Sequence, residues 1–199
     1  MAFEYERQLT KITHINVGTE KHGDQDVNAM DIDMRWVTSN QALAMLSPTL
    51  KSSLFEKEDT PQRDINPDPD HMTVVKNPKM GPIKWDETYE NARVVVHIGA
   101  SGKADAIFGD AKIRKFVIEP KQGGTVVFSY QVRCHPSNGD IEKIAGKLNQ
   151  EVYVTLDPDG GEDESDRPDT GKGANEIAEQ LQAQKARGGR SRRQLSMVE

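Results

Sequence analysis

The sequence predicts a mainly β (α+β) domain: an antiparallel β-sandwich or open barrel with two short hairpin-associated helices, followed by a disordered C-terminal tail. Three observations carry that expectation. Residues 30–36 alternate apolar and polar side chains strictly, and residues 125–134 do so with Val127 the one apolar residue on the polar face, the period of a strand with one buried face. Hairpin, polar step and short helix occur twice along the chain, about 100 residues apart. Residues 157–169 hold seven acids against Arg167, and residues 170–199 hold six bases against three acids, a blocky pattern with little to bury.

Taken in order, residues 9–17 read as a strand and residues 20–26 as a polar turn. Met30, Ile32, Met34 and Trp36 then form the apolar face of a second strand, with Asp31, Asp33 and Arg35 opposite. Thr38 or Ser39 can cap a short helix through residues 41–46, and Ser47-Pro48 can start another, with proline at its tolerated first position. Residues 56–71 are charged and proline-rich without periodicity, an exposed loop within the domain. Residues 72–76, 83–85, 91–98, 104–108 and 112–119 are strand candidates. A Gly-rich turn over 120–124 leads into residues 125–134, where Val126, Phe128, Tyr130, Val132 and Cys134 share a face. Ser137, Asn138 or Asp140 can cap a helix whose apolar positions Ile141, Ile144, Ala145 and Leu148 follow helical spacing. Val152, Val154 and Leu156 make the last strand. The domain is therefore drawn over residues 1–157 and the acidic-then-basic tail over 158–199, where only 174–186 carries a thin helical signal.

The repeat has constant spacing. Ile12, Ile15 and Val17 recur as Ile113, Phe116 and Ile118 at an offset of 101, and Met30 to Trp36 recur as Phe128 to Cys134 at an offset of 98. Apolar matches follow from the strand period alone. Arg35, Ser39 and Asn40 matching Arg133, Ser137 and Asn138, again offset by 98, do not. An internal duplication implies two hairpin–helix units about a pseudo-twofold axis.

Composition removes several classes of function. Of 199 residues, 35% are hydrophobic and 29% charged, and no apolar run approaches the ~20 residues of a membrane helix. The amino terminus lacks a basic start followed by an apolar stretch, which predicts a cytoplasmic protein without a signal peptide. Cys134 is the single cysteine, which excludes an internal disulfide and a cysteine-based zinc cluster.

Chemistry-bearing groups are sparse. His14, His22, His71, His97 and His135 show no metal-ligand spacing; His14 and His97 lie in strands, where a hydrogen-bonded structural role is expected. Asp31 and Asp33 share a strand face, expected to be solvated. Residues 99–103 lack the spacing of a phosphate loop, and residues 157–160 depart from a calcium loop at the fifth and sixth positions. Cys134 and His135 point to opposite faces of one strand, so the thiol is expected to be an inert core group. No catalytic site, metal or cofactor is predicted.

One binding surface is arguable. Lys112, Arg114, Lys115, Lys121 and Arg133 make residues 103–133 basic, with Arg114 and Lys115 expected on opposite faces, and Arg190, Arg192 and Arg193 add charge from the tail. These bases are candidates for phosphate contacts with single-stranded DNA. Phe128 and Tyr130 would stack bases if exposed, but their alternation favours burial.

Residues 115–156, with FVIEPKQGGT and YQVRCHP, and residues 18–33, with EKHGDQDV, resemble uncharacterised early-region proteins of tailed phages and prophages. The resemblance implies a bacterial host cytoplasm and no established activity. Together these readings predict a non-enzymatic binding protein, an accessory to DNA recombination or replication that contacts single-stranded DNA or a phage or host DNA-processing protein, itself able to form a homo-oligomer. The alternatives are a host-interaction protein, such as an inhibitor of a bacterial defence system, and an enzyme with an unrecognised site.

Overall fold

The computed structural model describes residues 2–58, 72–99, 102 and 104–160. The chain runs through β1 (Tyr5–His22), β2 (Gln25–Ser39), a 3-10 helix (Asn40–Met45), α1 (Leu50–Leu54), β3 (Phe55–Glu56), β4 (Val74–Val75), β5 (Ile83–Trp85), β6 (Tyr89–His97), β7 (Ala106–Lys121), β8 (Thr125–Cys134), α2 (Asn138–Ala145) and β9 (Glu151–Asp157). Six strands pair antiparallel in the ring β1-β2-β8-β7-β6-β9, and β9 pairs back onto β1, closing the barrel. β5 adds to β7 beyond the end of its pairing with β6, and β3 and β4 form a separate two-stranded ladder. Of the two expected architectures the barrel is the one formed. It is closed, because the two strand candidates over 104–108 and 112–119 merge into the single strand β7, Ala106–Lys121, long enough to pair with β6, β5 and β8.

The inward positions are those the alternation marks. Met30, Ile32, Met34 and Trp36 from β2 meet Phe128, Tyr130, Val132 and Cys134 from β8, with Val94 and Val96 from β6 and Val152, Val154 and Leu156 from β9. Phe3, just ahead of β1, is buried among Tyr5, Trp36, Phe116, Phe128 and Tyr130 at centroid separations of 5.1–5.9 Å. A six-stranded barrel is narrow, so rings of this size fill its interior. The Tyr5 and Tyr130 hydroxyls hydrogen-bond inside, and Tyr130 also donates to Met34 Sδ at 3.6 Å.

The ladder register repeats with the spacing seen in the sequence. β2 pairs Met30 with Cys134 and Trp36 with Phe128. The offset of 98 carries Met30 onto Phe128 and Trp36 onto Cys134, so exchanging the copies returns the same pairs, with Asp33 and Gln131 at the centre. Ile12 faces Met34 as Ile113 faces Val132, and Val17 faces Met30 as Ile118 faces Phe128. Each copy also carries a bulge in the same stretch, displaced by one to two residues: β1 slips against β2 between Ile12 and His14, and β7 against β8 between Arg114 and Val117.

That bulge corrects one expectation. Strict alternation would send Arg114 and Lys115 to opposite faces. Lys115 instead has φ +58°, and Ile113 and Phe116 are both buried, so the two basic residues between them both leave the core. The helices follow the same plan. Ser137 caps α2, its Oγ accepting the Asp140 N–H at 3.2 Å, and Ser39 precedes the 3-10 helix with nearly the same backbone angles but no side-chain cap. Leu148 lies beyond the end of α2 and is exposed. Residues 59–71 of the charged loop, and the tail from 161, lie outside the described residues.

Candidate functional site

The barrel wall presents two chemically different outer faces. On β2, β8 and β7 the outward residues form cross-strand rows: Asp31, Arg133 and Lys112 in one, Asp33, Gln131 and Arg114 in the next. Arg114 donates to Asp31 at 3.2 Å and to Gln131 Oε1 at 3.1 Å, and Gln131 donates to Asp33 at 2.8 Å. Arg133 reaches Asp31 at 3.5 Å and also pairs with Glu20 on β1. His135, just past β8, lies between Asp110 Oδ2 at 2.7 Å and Glu20 Oε2 at 3.2 Å. Lys112 pairs with Glu90 and Lys121 with Glu119, each at 2.6 Å.

Four of the basic residues singled out from sequence therefore face carboxylates. Lys112, Arg114 and Arg133 lie in one connected region, Lys121 sits farther along β7 beside the β7–β8 turn, and Lys115 is exposed on the bulge. Arg190, Arg192 and Arg193 lie outside the described residues. A phosphate at Arg114 or Arg133 would have to share or displace a carboxylate already held there. Phe128 and Tyr130 are buried and offer no stacking surface. Cys134 is buried, and burial pushes its thiol up, with Asp110 and Asp31 adding to the shift. Among the described residues no group of His, Cys, Asp and Glu side chains has the arrangement of a metal site.

The opposite face, on β1, β9, β6 and β7, is the one the sequence reading missed. Leu9 pairs across to Tyr153, which pairs to His97; Thr155 pairs to Val95, which pairs to Ile107. These residues occupy the outward phase of their strands, yet three are large and apolar or aromatic, with Leu9 45%, Tyr153 51% and Ile107 56% exposed. A sequence signal existed: once Val152, Val154 and Leu156 point inward, Tyr153 must stand outside.

A polar array holds the middle of this face. His97 Nδ1 lies 2.7 Å from Asp105 Oδ2, and His97 Nε2 lies 2.9 Å from Thr155 Oγ1. Asp105 Oδ1 accepts the Ile98 N–H at 2.9 Å, and Thr155 Oγ1 accepts the Arg7 N–H at 3.1 Å. Burial raises the Asp105 carboxyl, but the Ile98 N–H and His97 outweigh it and hold it below the usual carboxylate range. Carboxylate, imidazole and hydroxyl are wired in the order of a nucleophilic relay. The Arg7 N–H is taken up by Oγ1 itself, and Thr155 lies within β9, paired with Val95 of β6. The array fastens the β6–β7 connection to the barrel wall. Arg7 has φ +44° at a slip in the β1–β9 register, so the bulge is what turns its N–H toward Thr155.

The described cavity beside the 3-10 helix and α1, lined by Gln41, Ala44, Pro48, Lys51, Ser52 and Met72, has a volume of about 240 Å³, below the range of ordinary ligand pockets. No family model, curated protein or solved structure matches the chain.

Proposed function

We propose that this chain is a non-enzymatic binding protein whose barrel engages a partner protein through the outer face of β1, β9, β6 and β7. The observation that carries this reading is the grouping of Leu9, Tyr153 and Ile107 on one wall around the fixed Asp105–His97–Thr155 array. An aromatic anchor with apolar neighbours on a rigid support is the anatomy of an interaction hot spot. The balanced charge of the β2–β8–β7 face speaks for protein over nucleic acid, since four of its bases already meet carboxylates. The resemblance to tailed-phage early-region proteins supports a partner in DNA recombination or replication, or in a host defence system.

Affinity purification from infected cells, with nuclease, tests this. The wild-type chain is expected to retain a partner that Tyr153→Asp with Ile107→Asp loses, while Lys121→Glu keeps it. A parallel titration with a fluorescent oligonucleotide separates the DNA reading. Binding that falls with salt by a slope of about −0.7 per phosphate contact, and that Lys115→Glu weakens, would move the function to single-stranded DNA.

A further inference from the structure

β1 is longer than the barrel needs. Its pairing with β9 runs from Tyr5 to Lys11, and backbone bonds join Ile12 to Asn149 and Gln150. Its pairing with β2 continues to His22. Among the described residues, nothing pairs with the second edge of residues 13–22, which leaves an extended, exposed strand edge without proline. Such an edge is a template for another strand, and proteins normally blunt or cover it.

The alternation shows which groups it offers. Ile12 turns both its N–H and its C=O toward β9. The bulge at Thr13 shifts the phase by one residue, so Ile15, Val17 and Thr19 present N–H and C=O to the open side while their neighbours bond β2. Val17 is 47% exposed although it lies opposite the fully buried Met30.

We infer that the chain forms a homodimer by antiparallel pairing of residues 13–21 of β1 with the same residues of a second copy, the twofold axis passing through Val17. The choice of occupant rests on self-complementarity. In this register every residue with open groups faces another such residue of the other copy, so that each open N–H meets an open C=O: Val17 faces Val17, and Ile15 faces Thr19. The two exposed valines cover each other on the axis. On the other side of the ribbon His14 of each copy stands against Glu20 of the other, and at the ends of the register Lys21 stands opposite Thr13, so no like charges meet. Sliding by one residue sets His14 against Lys21 and opposes open groups to groups already bonded. The surface is separate from the β1–β9–β6–β7 wall, so the inference does not depend on the partner reading.

Sedimentation of the full-length chain over a wide concentration range tests it, together with amide hydrogen exchange. The wild type is expected to sediment at twice the chain mass and to show protection at Ile15, Val17 and Thr19 that grows with concentration. Val17→Pro deletes only an outward N–H, a place where an edge strand tolerates proline, and should raise the dimer dissociation constant at least tenfold with unfolding still cooperative. Val17→Lys sets two ammonium groups against each other on the axis and should give a monomer at low salt that partly re-associates at high salt. A monomer at every concentration overturns the inference. So does a dimer indifferent to both substitutions, or protection of these amides that is independent of concentration, which would mean that the chain covers its own edge.

Discussion

Trp36 stacks on Phe128 at 5.5 Å and touches Phe3 and Tyr5 inside the barrel, so Trp36→Ala removes the largest ring from a site with little room to collapse. A loss of about 3–5 kcal/mol is expected, read by chemical denaturation. The neighbouring Tyr5–Tyr130 pair sets an upper pH limit. Burial pushes Tyr5 up to about 12, and Tyr130 is raised too, so the native state holds both hydroxyls neutral. Groups raised in the folded state stabilise it fully below the unfolded tyrosine value near 10. That stabilisation is lost as the pH rises from there through about 12, at about 1.4 kcal/mol per pH unit for each tyrosine that ionises on unfolding. Denaturation midpoints between pH 9 and 12 should fall accordingly, and Tyr5→Phe with Tyr130→Phe should flatten the slope. Residue-level burial was legible because a two-residue period fixes which side chains point inward. The exposure of Tyr153 was equally implied by that period, but the reading followed apolar faces inward and gave the outward aromatic no weight. The Asp105–His97–Thr155 array was beyond reach, since its members come from a loop and two strands far apart in sequence.

At the scale of the element, the same unit occurs twice with different finishing. Ser137 accepts the Asp140 N–H, whereas Ser39 makes no such bond, so Ser137→Ala should cost about 1 kcal/mol and Ser39→Ala much less. Thermal unfolding of the two variants compares them directly, and equal losses would show that the copies cap alike. Lys115 stands at φ +58° on its bulge, a conformation that suits glycine. Lys115→Gly should therefore be neutral or stabilising by up to about 1 kcal/mol, whereas Lys115→Val should destabilise. The bulges were written in the sequence as a spacing of three between Ile12 and Ile15 and between Ile113 and Phe116, where a regular strand would keep a spacing of two. Reading both stretches as plain strands lost that mark, and with it the shared exposure of Arg114 and Lys115. The ion pairs of the β2–β8–β7 face were hidden for another reason. Charge counted along the chain cannot say that Asp31, from the first copy, lies between Arg114 and Arg133 of the second.

For the whole molecule, the decisive pairing is the one between the two ends of the folded region. β9 bonds β1 on one edge and β6 on the other, joining Tyr5 to Leu156 and Val94 to Leu156, so it is the stave that closes the barrel. A shared strand at such sequence separation makes closure late and folding slow, in the range of milliseconds to seconds, because the long loop must be ordered before the contacts repay it. Among the described residues every ladder partner of the ring lies at or before Asp157, so a chain ending at Gly160 should unfold cooperatively with a denaturation midpoint close to that of the full length. A chain ending at Gln150 loses Val152, Val154 and Leu156 from the core and leaves the inner edges of β1 and β6 unpaired. It should fail to unfold cooperatively and should aggregate through those edges. Circular dichroism melts and light scattering on the two truncations decide the matter. Cooperative, monomeric melting of the shorter chain would show that the ring holds without its closing strand.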